Sequence, residues 1–389
     1  MNVPKLRFKE FKNDWSPKNL SEVVAFSKGN SLSKSDLDEQ GSYPCILYGE
    51  LYTKYHEVIR KVFSKTNYIS DNIVKSKYGD ILIPASGETP IDISTSSCIL
   101  LDNVLLGGDI NILSPKNCDG RFISYMISNN KRKTIARVAQ GHSIVHLYSE
   151  NLKKVNLDIP LLSEQKKIAD MLELLDKKIE LQTKKIEALK LFKLSITQNI
   201  FNEKKLNDFQ SVTLGKILKP GSKIPVKNTS EYEKMTVKLN FKGLAKLETK
   251  KEMADTRPFY VRNENEIIIG KQNYFNGSIA KVTKDFKGCI CSNAIMSFTT
   301  INGVNVDYVL YYLSQKNYIN RRKFLANGTG QKELSEKEFL KFVIKLPSTQ
   351  IQNNISKKIS CVSNLLLLEN KKLTTLKNLK KGLLQNMFI

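Results

Sequence analysis

Hydrophobic residues recur at alternating steps of four and three along residues 163–201, which is the pattern of a coiled-coil seam. This segment contains neither glycine nor proline. Pro160 lies just ahead of it, and Ser163 can cap its first turn. A second segment, 350–388, repeats the same steps. A helix of this length extends about 58 Å. The narrow apolar stripe predicts two long helices that pair with each other, in preference to helices that each pack only on their own domain.

The two segments belong to a longer internal repeat with a constant offset. Gly141 matches Gly328 and Phe201 matches Phe388, and no gap is needed between these matches. Each repeated tail follows a block whose sequence differs from the other. Two copies are too few for a solenoid. The repeat therefore predicts two tandem halves related by a pseudo-twofold axis.

Two seam positions of each helix are polar, and they fall at equivalent places in the repeat: Gln182 and Lys193 in the first helix, Glu369 and Lys380 in the second. An antiparallel register that matches polar with polar positions sets Lys193 opposite Glu369 and Gln182 opposite Lys380. Polar seam residues commonly fix the register of a coil. We therefore predict these two pairs as neighbouring layers of an antiparallel coiled coil.

The blocks that precede the tails alternate short apolar runs with Gly, Pro and Asn, which is typical of strands and turns. Residues 79–94, 101–115 and 265–298 show this pattern. Each block ends in a segment with helical spacing, at 120–140 and at 306–327. The predicted fold class is α+β, with two mixed α/β domains joined by the paired long helices.

A formal net charge of +24 indicates a polyanionic partner, and nucleic acid fits better than a membrane surface because the lysines are spread along the chain. Both helical segments carry a basic cluster, Arg132, Lys133 and Arg137 in one block and Arg321, Arg322 and Lys323 in the other. A single cluster commonly marks a solvated helix face. Two clusters at matching places favour contact with phosphates.

Polar side chains on the predicted turns are candidates for reading base edges, although ordinary turn chemistry explains any one of them equally well. The DNA-binding candidates of the first block are Lys34, Tyr48, Lys54, Ser86, Thr89, Arg132, Lys133, Arg137 and His142. Those of the second block are Lys223, Lys238, Lys271, Gln272, Asn273, Asn276, Arg321, Arg322, Lys323, Thr329 and Gln331.

The chain has no motif for catalysis that we can identify. It contains no phosphate-binding loop, no glycine-rich cofactor loop after a strand and no nucleophile elbow. Six cysteines and three histidines lack the spacing of a zinc site. No apolar run is long enough for a membrane span or a signal peptide. We expect a cytoplasmic reader without catalytic residues, metal or cofactor.

Several phrases of the sequence resemble the specificity subunit of type I restriction–modification enzymes. The most characteristic is GHSIVHLYSENLKKVNLDIPLLSEQKKIAD at 141–170, supported by ILYGELYTKY, GDILIPASGETP, GGDINIL and GTGQKELS. The resemblance implies two target recognition domains, each reading half of a split double-stranded DNA site. It also implies an antiparallel coil that sets the distance between the half-sites.

The same resemblance implies the partners. The family's subunit is not itself catalytic. It docks two methyltransferase subunits, which methylate adenine at N6 with S-adenosylmethionine, and through them the restriction subunits, which use ATP and Mg²⁺ to cleave DNA. The domain limits expected on this basis are 1–145 and 202–332 for the recognition domains, with conserved regions at 146–201 and 333–389.

Two other function classes stay open at this point. A coiled-coil adaptor or RNA-binding module would share the charge and the helices but would show no DNA sequence preference. A self-sufficient modification enzyme would transfer a methyl group without partners. Selection from a random duplex pool and a methyl-transfer assay on the purified chain separate these alternatives from a DNA reader.

Overall fold

The computed structural model describes residues 2–141, 144–247, 257–326 and 333–389. They form two compact units. The first comprises Met1–Lys184 and Asn370–Ile389, and the second comprises Lys185–Glu369. The long helices α6 (Leu162–Ile200) and α12 (Thr349–Asn386) contribute to both units.

The first unit is built on two mixed β-sheets, because its short apolar runs alternate with tight turns. Its strands are β1 Ser16–Asn19, β2 Val24–Lys28, β3 Tyr43–Ile46, β4 Val58–Ile59, β5 Ser64–Thr66, β6 Val74–Lys75, β7 Ile81–Pro84, β8 Ser86–Gly87, β9 Ser97–Ile99, β10 Leu105–Leu106, β11 Ile110–Pro115, β12 Val145–His146 and β13 Asn156–Ile159. One sheet has the order β2-β11-β7-β9-β4 and the other β5-β3-β10-β6, while β1 pairs with β13 and β8 with β12. Central strand β7 is buried along its whole length.

Short helices close the first unit around these sheets. They are α1 Leu20–Val23, α2 Tyr48–Thr53, α3 Gly120–Tyr125, α4 Arg132–Val138 and α5 Ser149–Lys153, with one π-helical turn at Met126–Asn130 and a 3₁₀ turn at Lys34–Asp36. The ring of Phe122 on α3 lies 5.8 Å from the ring of Trp15 and 5.3 Å from that of Phe388. The core cluster around them also contains Ile168 and Leu172 of α6. Burial of large apolar side chains is the main favourable term in folding, so both long helices belong to this core.

Within the described residues the second unit has fewer strands than the first, and its main sheet is antiparallel. The strands are β14 Gln210–Thr213, β15 Leu218–Pro220, β16 Met235–Val237, β17 Leu244–Lys246, β18 Phe259–Val261, β19 Ile267–Gly270, β20 Ile279–Lys281, β21 Ile290–Ser292, β22 Ile295–Thr300 and β23 Val343–Leu346. The main sheet has the order β15-β22-β19-β20, and the pairs β14-β23, β16-β17 and β18-β21 flank it.

An aromatic cluster fills the core of the second unit. Its helices are α7 Glu203–Leu206, α8 Leu214–Ile217, α9 Val306–Leu313, α10 Lys316–Asn320 and α11 Glu336–Leu340, with 3₁₀ turns at Thr229–Glu231, Tyr274–Asn276, Lys284–Phe286 and Lys323–Ala326. Tyr274, Phe298, Tyr308 and Phe339 are fully buried. The ring of Phe201, just past α6, lies 5.8 Å from that of Tyr308, so the end of α6 is anchored in this core.

A buried glutamine near the start of each long helix bonds to the recognition block that precedes that helix. Gln165 accepts a hydrogen bond from the backbone nitrogen of Asp119 at 2.9 Å and donates one to the carbonyl oxygen of Pro160 at 2.9 Å. Gln352 does the same with the nitrogen of Asn305 and with the proline five residues before it, both at 2.8 Å. The glutamine that matches across the sequence repeat therefore has the same structural role in both units.

The predicted fold class is confirmed, and both long helices agree with their predicted bounds to within two residues. Two other helix predictions need correction. Residues 120–140 form α3, a π-helical turn and α4, and residues 306–327 begin with α9 and α10. The break in the second segment follows Leu313, where Ser314 hydrogen-bonds the carbonyl oxygen of Leu310 at 2.7 Å. Such back-bonding competes with the helical ladder.

The predicted register of the coil is wrong by about one heptad. Glu369 Oε1 lies 2.5 Å from the Nζ atom of Lys185, which precedes Lys193 by eight residues. In the first unit, Met387 shares a core cluster with Ile168 and Leu172, whereas the prediction placed it opposite Leu175. The prediction assumed that a shifted register would bury charges without partners. For Lys380 the structure supplies partners from outside the seam, as described below.

Candidate nucleic-acid interface

Two loops of the first unit that carry predicted DNA-binding residues are joined by the strand pair β8–β12. Within this pair, the Ser86 hydroxyl lies 3.0 Å from the Nδ1 atom of His146, and its side chain is buried. The following turn is held by a hydrogen bond from Thr89 Oγ1 to Asp92 Oδ2 at 2.5 Å. Both hydroxyls are therefore engaged within the protein, and their contacts position the loop.

Helix α4 lies beside this loop and carries the first basic cluster. Arg132 donates from Nε and Nη2 to the carbonyl oxygen of Ile91, at 3.2 and 3.0 Å. Lys133 and Arg137 are exposed on the same helix, and no ion pair involves either of them within the described residues. These two cations are free to contact phosphate, whereas Arg132 connects the cluster to the loop.

The remaining candidates of the first unit lie on two short helical turns. Tyr48 begins α2 and is 36% exposed, and Lys34 is exposed on its 3₁₀ turn. Lys54 Nζ is paired with Glu50 Oε1 at 2.6 Å. Glu50 is buried, at 6% exposure, so this pair holds Lys54 within the protein. His142 lies outside the described residues.

In the second unit, one turn between β19 and β20 collects Lys271, Gln272, Asn273 and Asn276. Asn276 Nδ2 donates to Asn273 Oδ1 at 3.2 Å, and Gln272 Nε2 donates to Glu333 Oε1 at 3.0 Å. The turn closes at Gly277, whose φ of +77° is in the region that glycine tolerates best. Three amides on one surface turn are suited to hydrogen-bonding with base edges.

The second basic cluster is partly used inside the protein. The Arg322 guanidinium lies 3.6 Å from the centre of the Tyr318 ring and donates to the Tyr318 carbonyl oxygen at 3.0 Å. Arg321 is paired with Glu203, while Lys323 is exposed. The stacking of Arg322 was not foreseen. An aromatic residue four positions before an arginine on a helix is the sequence signal that could have indicated it.

The other described candidates of the second unit have different surroundings. Lys223 Nζ is 2.6 Å from Glu336 Oε2, and Lys238 is exposed after β16. Thr329 and Gln331 lie outside the described residues. The structure therefore brings together the amide turn of β19 and β20, and separately the arginine and lysine cluster after α10.

A partly buried ion cluster surrounds Lys380, which the sequence had paired with Gln182. Lys380 Nζ lies 2.7 Å from Asp176 Oδ1, 3.0 Å from Glu57 Oε2 and 5.5 Å from the centre of the Tyr125 ring. Burial lowers the pKa of Lys380, but the two carboxylates outweigh it and hold that pKa above its ordinary value. For Tyr125, burial raises the pKa, and its hydroxyl donates to Asp176 Oδ2 at 2.6 Å.

The described residues contain no group of His, Cys, Asp and Glu side chains that could hold a metal ion. Burial raises the pKa of Cys45 and of Cys118 to about 11, so neither thiol is a ready nucleophile. Nor do the described residues contain a helix that is long and apolar enough to cross a bilayer. The exposed amides and cations are suited to binding a polyanion.

The family model described as the type I restriction modification DNA specificity domain matches residues 12–191 and again residues 201–378. The chain belongs to this family. The two matches divide the chain as the internal repeat does, with one target recognition domain in each half. DNA sequence specificity is the function of the family, so the chain is the DNA-reading component of a type I system and neither an adaptor nor an RNA-binding module.

Individual relatives agree with this assignment. A putative type I restriction enzyme specificity subunit, MjaX, of Methanocaldococcus jannaschii is 22% identical over 98% of this chain and 95% of its own. The crystal structure of a type I restriction–modification S subunit from M. genitalium superposes with a TM-score of 0.67 at 19% identity, covering 100% of this chain and 99% of that one. A chain from a study of complex assembly and conformational transition of the type I system gives a TM-score of 0.52 at 14% identity, covering 96% and 97%. At these identities the two solved structures support the fold.

Proposed function

We propose that this specificity subunit reads a bipartite duplex site with one recognition domain per half-site, within 1–145 and 202–332, while α6 and α12 set the spacing. The observation that carries this proposal is the double match of the family model to two halves, each with its own core and its own glutamine connection to a long helix. Two readers at a set separation discriminate a split site by geometry as well as by contacts.

Within each domain, cations fix the position on the phosphate backbone and polar loops read the bases. The exposed cations Lys133 and Arg137 serve the first domain, and Lys323 and Lys238 serve the second. The amide turn at 271–276 is the strongest candidate for base contact, because three amides lie on one short turn at the surface. His142, Thr329 and Gln331 complete the set on the basis of the family resemblance.

The methyltransferase partners dock, in our proposal, on the long helices. α6 exposes Leu174 and Leu181, one heptad apart, at 57% and 56%. α12 exposes Leu367 and Leu368, at 56% and 61%. Exposed leucines on a long helix are typical of a surface that receives a partner helix. The complex would contain two methyltransferase subunits, which supply adenine-N6 methylation with S-adenosylmethionine, and restriction subunits that use ATP and Mg²⁺.

The test is selection from a random-sequence duplex pool by the full chain assembled with the methyltransferase subunit of its own system. The expected result is a split consensus with a fixed gap. Replacing residues 1–145 with the matching block of a relative should change one half-site and leave the other intact. Enrichment without a consensus, or a change in both half-sites, would contradict the two-reader proposal.

A salt titration tests the assignment of the cations. Lys133→Ala together with Arg137→Ala should lower the slope of log affinity against log salt by about 0.9 for each phosphate that the protein no longer neutralises. The matched control is Lys357→Ala with Lys358→Ala, which removes the same charge from exposed positions of α12. If both double variants changed the slope equally, net charge alone would explain binding, and the first cluster would not be a DNA contact.

A further inference from the structure

A wide cavity of about 2070 Å³ opens in the second unit, between α6, α12 and the segment that carries α9 and α10. Among the described residues it is lined by nine lysines and arginines and only two carboxylates. Both carboxylates are already paired, Glu203 with Arg321 and Asp307 with Lys281. The cavity therefore holds an excess of positive charge, although one lining cation, Lys341, is also paired, with Glu338 Oε1 at 2.6 Å.

Lys193 is the lining cation with the most unusual surroundings. It lies on the seam side of α6, where it is only partly exposed, and burial lowers its pKa. Within the described residues, no carboxylate forms an ion pair with its ammonium group. A partly buried ammonium without a counter-ion is unfavourable, because it has lost water and gained nothing in exchange.

The internal repeat shows what this lysine lacks. Its equivalent in the first unit is Lys380, which is neutralised by Asp176 and Glu57. The residue of the second unit that matches Asp176 is Ser363, and it lines the cavity together with Lys193. The Ser363 hydroxyl donates to the carbonyl oxygen of Ile359 at 2.8 Å. The second unit thus keeps the lysine but has a hydroxyl in place of the aspartate.

We propose that this cavity is a docking site for an acidic segment of a partner protein, with a carboxylate of that partner bound to Lys193. We choose a carboxylate as the ligand because Lys380, the equivalent lysine of the first unit, is paired with the carboxylates of Glu57 and Asp176. A glutamate or aspartate side chain can extend into a recess beside a helix. The phosphates of a duplex are fixed to a rigid backbone and cannot. This proposal goes beyond DNA recognition and does not depend on it.

The first experiment restores the missing carboxylate. Ser363→Asp places an aspartate where the equivalent unit has Asp176, so it should raise the melting temperature of the full chain by about 3 °C. The same substitution in a Lys193→Met background should give no increase, since the partner charge is then absent. If Ser363→Asp changed the melting temperature equally in both backgrounds, Lys193 would not bind a carboxylate at this position, and the proposal would be wrong.

The second experiment measures binding to the full chain with a fluorescein-labelled peptide of eight glutamates. Both Ser363→Asp and Lys193→Met should weaken binding by about tenfold. Lys357→Met, which removes one charge from α12 outside the cavity, should change it by less than a factor of two. Circular dichroism confirms that each variant is folded.

Two competitors identify the kind of anion. Inorganic phosphate and a duplex oligonucleotide are each titrated against the bound peptide, with wild type and with Lys193→Met. The proposal requires that each competitor binds the wild type and Lys193→Met with the same affinity. If either one bound the wild type more tightly than the variant by the same factor as the peptide, the cavity would be a phosphate site. Equal peptide affinity of the wild type and both variants would also overturn the proposal.

Discussion

Lys380 and Lys193 occupy equivalent positions of the internal repeat, but the two units treat them differently. Lys380 lies between Glu57 and Asp176 and over the ring of Tyr125, and its pKa is raised. Lys193 has no such carboxylates among the described residues, and its pKa is lowered by burial. A repeated residue in a repeated helix therefore does not have a repeated environment. Two differences decide whether the seam charge is neutralised: Glu57 belongs to the first block, and Asp176 of the first tail is Ser363 in the second.

The glutamine connections show the opposite behaviour. Gln165 and Gln352 make the same two hydrogen bonds in their two units, at 2.9 Å in the first and 2.8 Å in the second. Their partners are backbone atoms, namely the nitrogen at the start of a domain helix and the carbonyl of a proline. Backbone groups are present whatever the side chains of the block are. A contact to the backbone can therefore be kept in both halves of a repeat whose variable blocks differ.

The largest expected difference between the units is in stability on removal of the seam lysines. Lys380→Met leaves Glu57 and Asp176 partly buried without their cation, and should lower the free energy of unfolding by about 3 kcal/mol. Lys193→Met removes an ammonium that has no carboxylate partner among the described residues, and should leave the stability unchanged or raise it. Urea unfolding of both variants measures the contrast. Equal losses would show that the two sites are electrostatically alike.

Removal of the buried glutamine should instead destabilise both units equally. Gln165→Ala and Gln352→Ala each leave a buried backbone nitrogen and a buried carbonyl oxygen without a partner, so each should lose about 2 kcal/mol in urea unfolding. Gln198→Ala, at an exposed position of α6, is the control and should change little. A loss confined to one of the two buried glutamines would mean that the connection is structural in only one unit.

The smallest expected effect is in the alkaline pH dependence. A lysine with a raised pKa contributes stability that is present below its unfolded pKa and is lost as pH rises through the folded pKa. Lys380 is of this kind. Lys193, with a lowered pKa, gives the opposite sign, since the folded chain releases its proton first and stability rises as the pH approaches 10.5.

Urea unfolding between pH 8 and 11, compared with Lys380→Met and Lys193→Met, measures the two contributions as differences from the wild type. The wild type should lose stability relative to Lys380→Met as the pH rises, and gain it relative to Lys193→Met. Differences of the same sign for both variants would contradict the assigned environments.

The sequence by itself determined the long helices, because a heptad stripe without glycine or proline over 163–201 has only one stable local structure. It also determined the two halves, since the internal repeat is visible without coordinates, and the family, through phrases that are dense after Gly141. The strands around the Gly107–Gly108 turn followed equally from local chemistry, as β10 and β11 lie on either side of it.

Only the tertiary structure decided the register and the contacts that the basic residues make within the protein. The register prediction balanced charges within the seam alone. Glu57, which helps to neutralise Lys380, belongs to the first block and lies at the other end of the sequence. Arg322 was assigned to DNA because it belongs to a basic cluster, yet its guanidinium packs on Tyr318. A periodic pattern specifies which face of a helix is buried. It does not specify which distant side chain meets that face, because that depends on how the rest of the chain folds.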